Sequence, residues 1–298
     1  MIVYFSFVII SVRSLTALAV LSAALVGCGS GQGTAEKPSP GPAGPSGVAA
    51  AGPHAEKKPA LTPVFTRAEV PEEAEDAEDA EETEDTEKTV ALTFDADMTA
   101  DQGQRAVRGE RFDNPTLIET LRELKVPSTV FMTGRWAEEY PEQAKEIGAD
   151  PLFEIGNHSY SHYGFTGDCY GLPAVKRGRM LADVKRAFTA FERAGARNVV
   201  PYFRFPGGCY DQAALRAIAP AGVTAVQWDV VGGDAFTTDT DRVVAQVLEG
   251  VTPGSVVVLH CTRSAAPVTE EAIRQIVPAL REEGYRMVKV SELMKKPH

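Results

Sequence analysis

The sequence predicts an α/β domain over residues 88–298, a parallel sheet covered by helices and most simply closed into a barrel. Three observations carry this. Short β-branched runs alternate with longer amphipathic stretches from Lys88 to the end of the chain. That stretch holds about 210 residues, enough for one sizeable core, and α/β barrels reach this size as a single unit. The polar and glycine-rich irregularities fall directly after the β-type runs, where a barrel of this kind builds its active site. A doubly wound open sheet satisfies the same alternation and stays open as the alternative.

Taken in order, residues 89–94 (Thr-Val-Ala-Leu-Thr-Phe) read as a buried strand, and Asn114-Pro115 opens an amphipathic helix through 124. Residues 128–132 form the next strand, followed by a helix over 136–147. A third strand, 152–155, runs into Gly156-Asn157-His158, and a polar loop leads to a long helix over 174–194. The remaining pattern predicts strands at 199–205, 224–227, 255–259 and 287–290, with helices at 212–219, 240–249 and 269–283 between them. Residues 98–112, polar and rich in arginine, read as an extended segment that either lines a substrate groove or is an ordinary surface loop.

The first third of the chain is not fold. Residues 1–27 read as a secretory signal, with Arg13 as the only charge before the apolar run from Leu15 to Val26. The residues before Arg13 are themselves apolar, so one reading places the true start near Val12 or Arg13. The run ends in Leu25-Val26-Gly27-Cys28, which resembles the lipobox of bacterial lipoproteins. The resemblance implies cleavage before Cys28, lipidation of its sulfur and attachment to the outer face of the cell membrane. Residues 28–87 read as a disordered linker, first rich in Pro, Gly and Ala, then acidic. About sixty such residues span roughly 45 Å on average, a tether that would let a domain search its surroundings.

The formal charge of −11 belongs to the linker, because residues 69–87 hold twelve Asp and Glu with no Lys or Arg. Without them the rest carries about +1, which removes any electrostatic case for nucleic-acid binding.

Histidine is used sparingly. Of five, His54 lies in the linker and His298 is the last residue, leaving His158, His162 and His260 after predicted strands. Two imidazoles at i and i+4 on a turn or helix start face the same way, a spacing that suits one metal ion. Asp95 and Asp97 follow the first strand, Arg204 ends another, Asp234 follows Trp228, and His260 ends the strand at 255–259.

In this order the series resembles the five motifs of the NodB-type polysaccharide deacetylases, the family 4 carbohydrate esterases, in their lipoprotein form. Thr93-Phe94-Asp95-Ala96-Asp97 resembles the first, His158-Ser159-Tyr160-Ser161-His162 the metal-binding second, Arg204-Phe205-Pro206-Gly207 the third, Trp228 to Asp234 the fourth, and Val258-Leu259-His260 the fifth. The resemblance implies a distorted (β/α) barrel and a metal-dependent hydrolase that removes N-acetyl groups from cell-wall or extracellular polysaccharide, acting as a monomer. It makes Asp95 the general base, His158 and His162 ligands of a divalent metal (zinc, or cobalt or nickel), Arg204 the partner of Asp95, and His260 the general acid. Asp234 would tune His260 or be an exposed loop acid, and a backbone N–H near Gly207 would hold the oxyanion. Trp228 either walls the acyl pocket or is plain core, and Tyr160 lies in the pocket region, more suited to packing than to catalysis.

The departures matter. Ala96 stands where the family has a metal-binding Asp, so either Asp97 swings in as third ligand or a water completes the shell and Asp97 merely caps the loop. Val231, Ala235 and Gly207 also differ from the usual residues. Two further readings therefore stay open: hydrolysis of an O-acetyl ester or another non-peptide C–N bond on the same fold, and a catalytically impaired wall-binding lipoprotein. Of the four cysteines, Cys169, Cys209 and Cys261 follow motifs on one face. An exported protein favours a disulfide, and neighbouring strands for the second and third motifs suggest Cys169–Cys209. A cysteine thiolate in the metal shell is the lesser alternative.

Overall fold

The computed structural model describes residues 60–69 and 88–295. The signal-like segment, Cys28, His54, His298 and most of the linker lie outside the described residues. No helix among the described residues is long and apolar enough to cross a membrane.

The strands are β1 (Val64–Phe65), β2 (Thr89–Ala96), β3 (Ser128–Met132), β4 (Phe153–Asn157), β5 (Val199–Phe203), β6 (Thr224–Val226), β7 (Val230–Val231), β8 (Val256–His260) and β9 (Arg286–Met287). The α-helices are α1 (Gln102–Val107), α2 (Pro115–Glu123), α3 (Gly134–Glu139), α4 (Pro141–Ala149), α5 (Met180–Ala194), α6 (Gln212–Ile218), α7 (Thr240–Gly250), α8 (Thr269–Glu282) and α9 (Val290–Leu293). Side-chain caps start several of these helices: Asn114 accepts from Leu117 N, Thr133 from Trp136 N, Asp211 from Ala214 N and Asp239 from Arg242 N. Gly195, at φ +74°, ends α5 in the left-handed conformation.

Every strand pairing is parallel, in the order β1-β6-β5-β4-β3-β2-β8-β7, with β9 added to the start of β2. Only residues 227–229 separate β6, which pairs with β5, from β7, which pairs with β8. Strand β6, whose outer edge is covered only by the two-residue β1, and the opposite end strand β7 are therefore joined by a short stretch of chain, and the sheet curls into the expected distorted barrel. A large apolar layer fills the space between strands and helices, with Leu92, Phe94, Ala96, Trp136, Ile155 and Ile273 in it. A smaller cluster of Ala91, Phe131, Val226, Val256, Val288, Val290 and Leu293 fills the barrel interior, and α9 supplies its last members.

Three expectations are corrected. The helix expected over 136–147 is two helices, because Pro141 removes a donor and biases Tyr140 away from helical geometry (φ −122°, ψ 58°). The strand expected at 287–290 stops at Met287, and Val290 already begins α9. The linker expected over 28–87 is interrupted by structure. Val64 and Phe65 pair with Ala225 and Val226, Thr62 hydroxyl donates to Leu215 O at 3.0 Å, and Ala68 N donates to Gly254 O at 2.9 Å. Arg67 reaches Thr252, Pro253 and Asp229. This strap lies in the seam where the chain leaves β6 for β7, covering backbone groups of β6 that would otherwise form an open edge.

Candidate active site

The site sits at the C-terminal ends of the strands. Alternation along β2 sends Phe94 and Ala96 into the helix-facing layer and turns Thr93 and Asp95 the other way. Arg204, at the end of β5 and fully buried, meets them there: its Nη1 donates to Thr93 Oγ1 and to Asp95 Oδ1, both at 2.8 Å. Its remaining donors go to Val226 O (3.2 Å) and Gln227 O (3.4 Å), and the guanidinium lies 3.9 Å from the centre of the Phe131 ring. Burial alone would raise the Asp95 pKa, but Arg204, then His158 and His260, outweigh it and hold the carboxyl below its usual range.

His158 is buried with its Nδ1 3.0 Å from Arg204 O. A carbonyl can only accept, so Nδ1 carries the hydrogen and Nε2 presents a lone pair, 3.5 Å from Asp95 Oδ2. Burial pushes this imidazole down to about 4, with His162 adding to the fall against the pull of Asp95 and Asp97, so it is neutral at physiological pH. His162 stands with its ring centre 5.0 Å from that of His158 and its Nε2 3.4 Å from Asp97 Oδ2. The pair does not begin a helix. Ser159 and His162 both take positive φ (69° and 55°), and the turn is pinned by Asn157 Oδ1 accepting from Ser159 N and Ser159 Oγ from His162 N.

Across the site, His260 is the register partner of Asp95 on the adjoining strands β8 and β2. Asp234, fully buried, accepts from His260 N (2.8 Å), lies 2.9 Å from His260 Nδ1, and accepts from Thr269 Oγ1 (2.6 Å). Burial would lower the imidazolium; the charge and hydrogen bond of Asp234, with Asp97 and Asp95 behind it, outweigh that and raise it to about 9.

The donor chemistry of the site suits a divalent metal. His158 Nε2 and Asp95 Oδ2 are two acceptors facing each other with no hydrogen to share, an arrangement that a cation relieves. Two imidazoles beside two carboxylates suit zinc or a related metal. Among the described residues, no three His, Cys, Asp or Glu side chains are drawn into a closed cage. The donors stand instead as two adjoining imidazole–carboxylate pairs, and they fit the group.

Cys169 and Cys209 form the disulfide suggested by the sequence, with Cα atoms 5.9 Å apart. It explains Gly207: at φ +62°, a Cβ there would lie 2.7 Å from Cys169 Sγ, so the bridge occupies the room a side chain needs. The thiolate alternative falls, since the only free cysteine among the described residues, Cys261, is buried and burial pushes its thiol up to about 12. Tyr160 is corrected too. Its hydroxyl donates to Glu138 at 2.7 Å and Arg186 lies 3.6 Å over its ring, so it packs α3 against α5 instead of lining a pocket. Trp228 is half-buried, packed on the barrel interior with Arg204 5.4 Å from its ring centre. The segment 98–112 folds into α1, and its Arg105 and Arg111 are taken up by Glu110 and Asp113. Sequence reading missed Thr93, Thr262 and Thr269, hydroxyls that hold the functional carboxylates or Arg204. A lone Thr two residues after His260 gives no local signal.

A parallel barrel that gathers a carboxylate base, an imidazolium acid and a pair of metal-suited imidazoles at its strand ends defines a hydrolase of the polysaccharide deacetylase type. The comparisons support that class: the polysaccharide deacetylase family model matches residues 82–226, a span that stops short of Asp234 and His260. A chitooligosaccharide deacetylase of Bradyrhizobium sp. is 27% identical over 193 residues, covering 61% of this chain and 84% of that protein. A peptidoglycan-N-acetylglucosamine deacetylase of Bacillus cereus is 27% identical over 186 residues, covering 62% and 83%. Among solved structures, a family 4 pseudoenzyme from Bacillus anthracis superposes with a TM-score of 0.59 at 23% identity over 80% of this chain and 70% of that one, a likeness of fold.

Proposed function

We propose that this protein removes N-acetyl groups from amino sugars of a cell-wall or extracellular polysaccharide, with a divalent metal, from a lipid-tethered position outside the cytoplasm. One observation carries the chemistry. Asp95 and His260 are register neighbours whose surroundings drive their proton affinities apart, one held as carboxylate and the other as imidazolium at neutral pH. Such a pair is what an amide hydrolysis needs for its base and its acid.

Asp95 takes a proton from water as the water oxygen bonds to the acetyl carbon. His260 then gives a proton to the amine nitrogen as the C–N bond breaks, leaving acetate and a free amino sugar. His158, His162 and Asp97 are the residues that would hold the metal, whose chemistry when bound is to acidify water and polarise the acyl oxygen. A backbone N–H near Gly207 is the donor assigned to the developing oxyanion. Arg204 keeps Asp95 ionised and aimed. The disulfide supports the exported location, because such bridges persist in oxidising compartments, and the lipobox-like Leu25-Val26-Gly27-Cys28 supports the tether.

The test is acetate release from chitin oligosaccharides, peptidoglycan and acetylxylan with zinc or cobalt supplied. Release from the amino-sugar polymers is expected. No release from any of them would sink the proposal, and release from acetylxylan alone would replace it with the ester reading.

A further inference from the structure

The family resemblance looks for a metal-binding carboxylate at position 96, and Ala96 leaves that place without one. The structure shows why alanine belongs there. In this chain β2 runs on to Ala96, so alternation buries its methyl group in the apolar layer under the helices, alongside Phe94 and Trp136. The following residue, Asp97, returns to the face of Asp95. Reaching that face is not enough to fix a carboxylate beyond the end of a strand, where its rotamers are otherwise free. Here it is fixed from the far side of the site. Thr262, buried two residues after His260, donates its hydroxyl to Asp97 Oδ1, and its Oγ1 accepts from Asp97 N at 3.3 Å. With Oδ1 engaged, Oδ2 is the oxygen that points to His162 Nε2, 3.4 Å away.

Thr262 is itself held. Its carbonyl accepts from Ala265 N (3.0 Å) and Ala266 N (2.8 Å), and Cys261 N beside it donates to Asp95 O (2.8 Å). The hydroxyl is thus presented from a fixed loop to a fixed strand end.

We infer that Thr262 is a positioning residue, whose hydroxyl turns Asp97 toward His162 so that Asp97 serves as the carboxylate ligand of the metal in place of position 96. This rests on the metal-dependent reading above. Thr262 acts through Asp97, as outer partners of metal ligands do.

The experiment is a zinc titration of the metal-stripped full-length protein against a chromophoric chelator, with thermal unfolding of each apo variant as control. Thr262→Val, which keeps the side-chain shape, is expected to weaken zinc about 10–100-fold. Thr262→Ser should bind like wild type, which a loss of packing alone would not allow. Asp97→Ala should weaken zinc at least as much, and Asp97→Ala/Thr262→Val no more than Asp97→Ala alone. If Thr262→Val binds zinc like wild type, or if its effect adds in full to that of Asp97→Ala, the inference is overturned while the metal reading stands. If wild type and His158→Ala bind zinc equally weakly, the metal reading fails and takes this role with it.

Discussion

Replacing Asp234 with asparagine isolates the charge that keeps a proton on His260. The side chains are nearly isosteric, and the amide oxygen can still accept from His260 N and Thr269 Oγ1, as Asp234 Oδ2 does now. The NH2 group then faces His260 Nδ1 where a carboxylate oxygen lies at 2.9 Å. An amide there donates, which demands a neutral imidazole with its hydrogen on Nε2. The present imidazolium titrates at about 9 against an ordinary 6.5, a difference equivalent to about 3 kcal/mol in favour of the charged form. With the carboxylate gone, burial and the donating amide are opposed only by the weaker pull of Asp97 and Asp95, and the pKa should fall to about 6.5 or lower. At pH 7.5 the protonated fraction then drops from nearly all to roughly a tenth or less, given one tenfold step per pH unit. The assay is kcat/KM for acetate release against pH, with the His260 titration followed directly by NMR. The alkaline limb should move from near 9 to near or below 6.5, with activity at pH 7.5 down at least tenfold. An unchanged alkaline limb with a folded variant would refute the assignment of His260 as acid held by Asp234. The sign for stability is the same: because the folded-state pKa is raised, the contribution is complete below about 6.5 and is lost as pH climbs through about 9. Asp234→Asn should flatten that alkaline loss.

Asp95→Asn should cut turnover at least a thousandfold while zinc still binds; it also leaves Arg204 buried without its counter-charge, at a cost of about 3–5 kcal/mol in denaturant unfolding. Full activity in that variant would remove Asp95 as base. Cys169→Ser/Cys209→Ser opens a bridge across 40 residues and should lower unfolding stability by about 2–4 kcal/mol, read by urea titration with and without reductant. No difference between oxidised and reduced wild type would count against a structural role for it. Deleting residues 60–69 uncovers β6 and withdraws Phe65 from the barrel interior, so the midpoint of thermal unfolding should fall, by at least the roughly 1.5–3 kcal/mol of one such side chain. A shortened chain as stable as the full one would show the strap to be dispensable.

Much of the site was legible because the residues carrying it announce themselves by type. Asp95, His158, His162, Arg204 and His260 stand after β-type runs, and the structure brings all five to one end of one barrel. Helix starts were legible for the same local reason: Asn114 before Pro115 is a cap whatever the fold around it. The strap at residues 62–68 was not, because two residues of strand between a Pro/Gly-rich linker and an acidic run show no period. Its strand character exists only because β6 offers it an unpaired edge. Likewise Tyr160 sits inside the histidine motif yet faces α5, since two left-handed residues redirect the chain there.

The sequence by itself determined most of the order of strands and helices, because periodicity and capping are local properties, and its resemblance to a known family implied the class of chemistry and the residues able to perform it. Tertiary structure alone decided how those residues are held. Thr262 lies 165 residues from Asp97, and nothing in either neighbourhood names its partner; Asp234 lies 26 residues from His260, and the sequence left open whether it tunes that histidine or is an exposed loop acid. Strand register and barrel closure bring them together, and these depend on packing across the whole domain. The same register bears on the substitution that the sequence left open: β2 extends to Ala96, so the apolar layer holds the side chain at position 96, and Asp97 is the residue that lies 3.4 Å from His162.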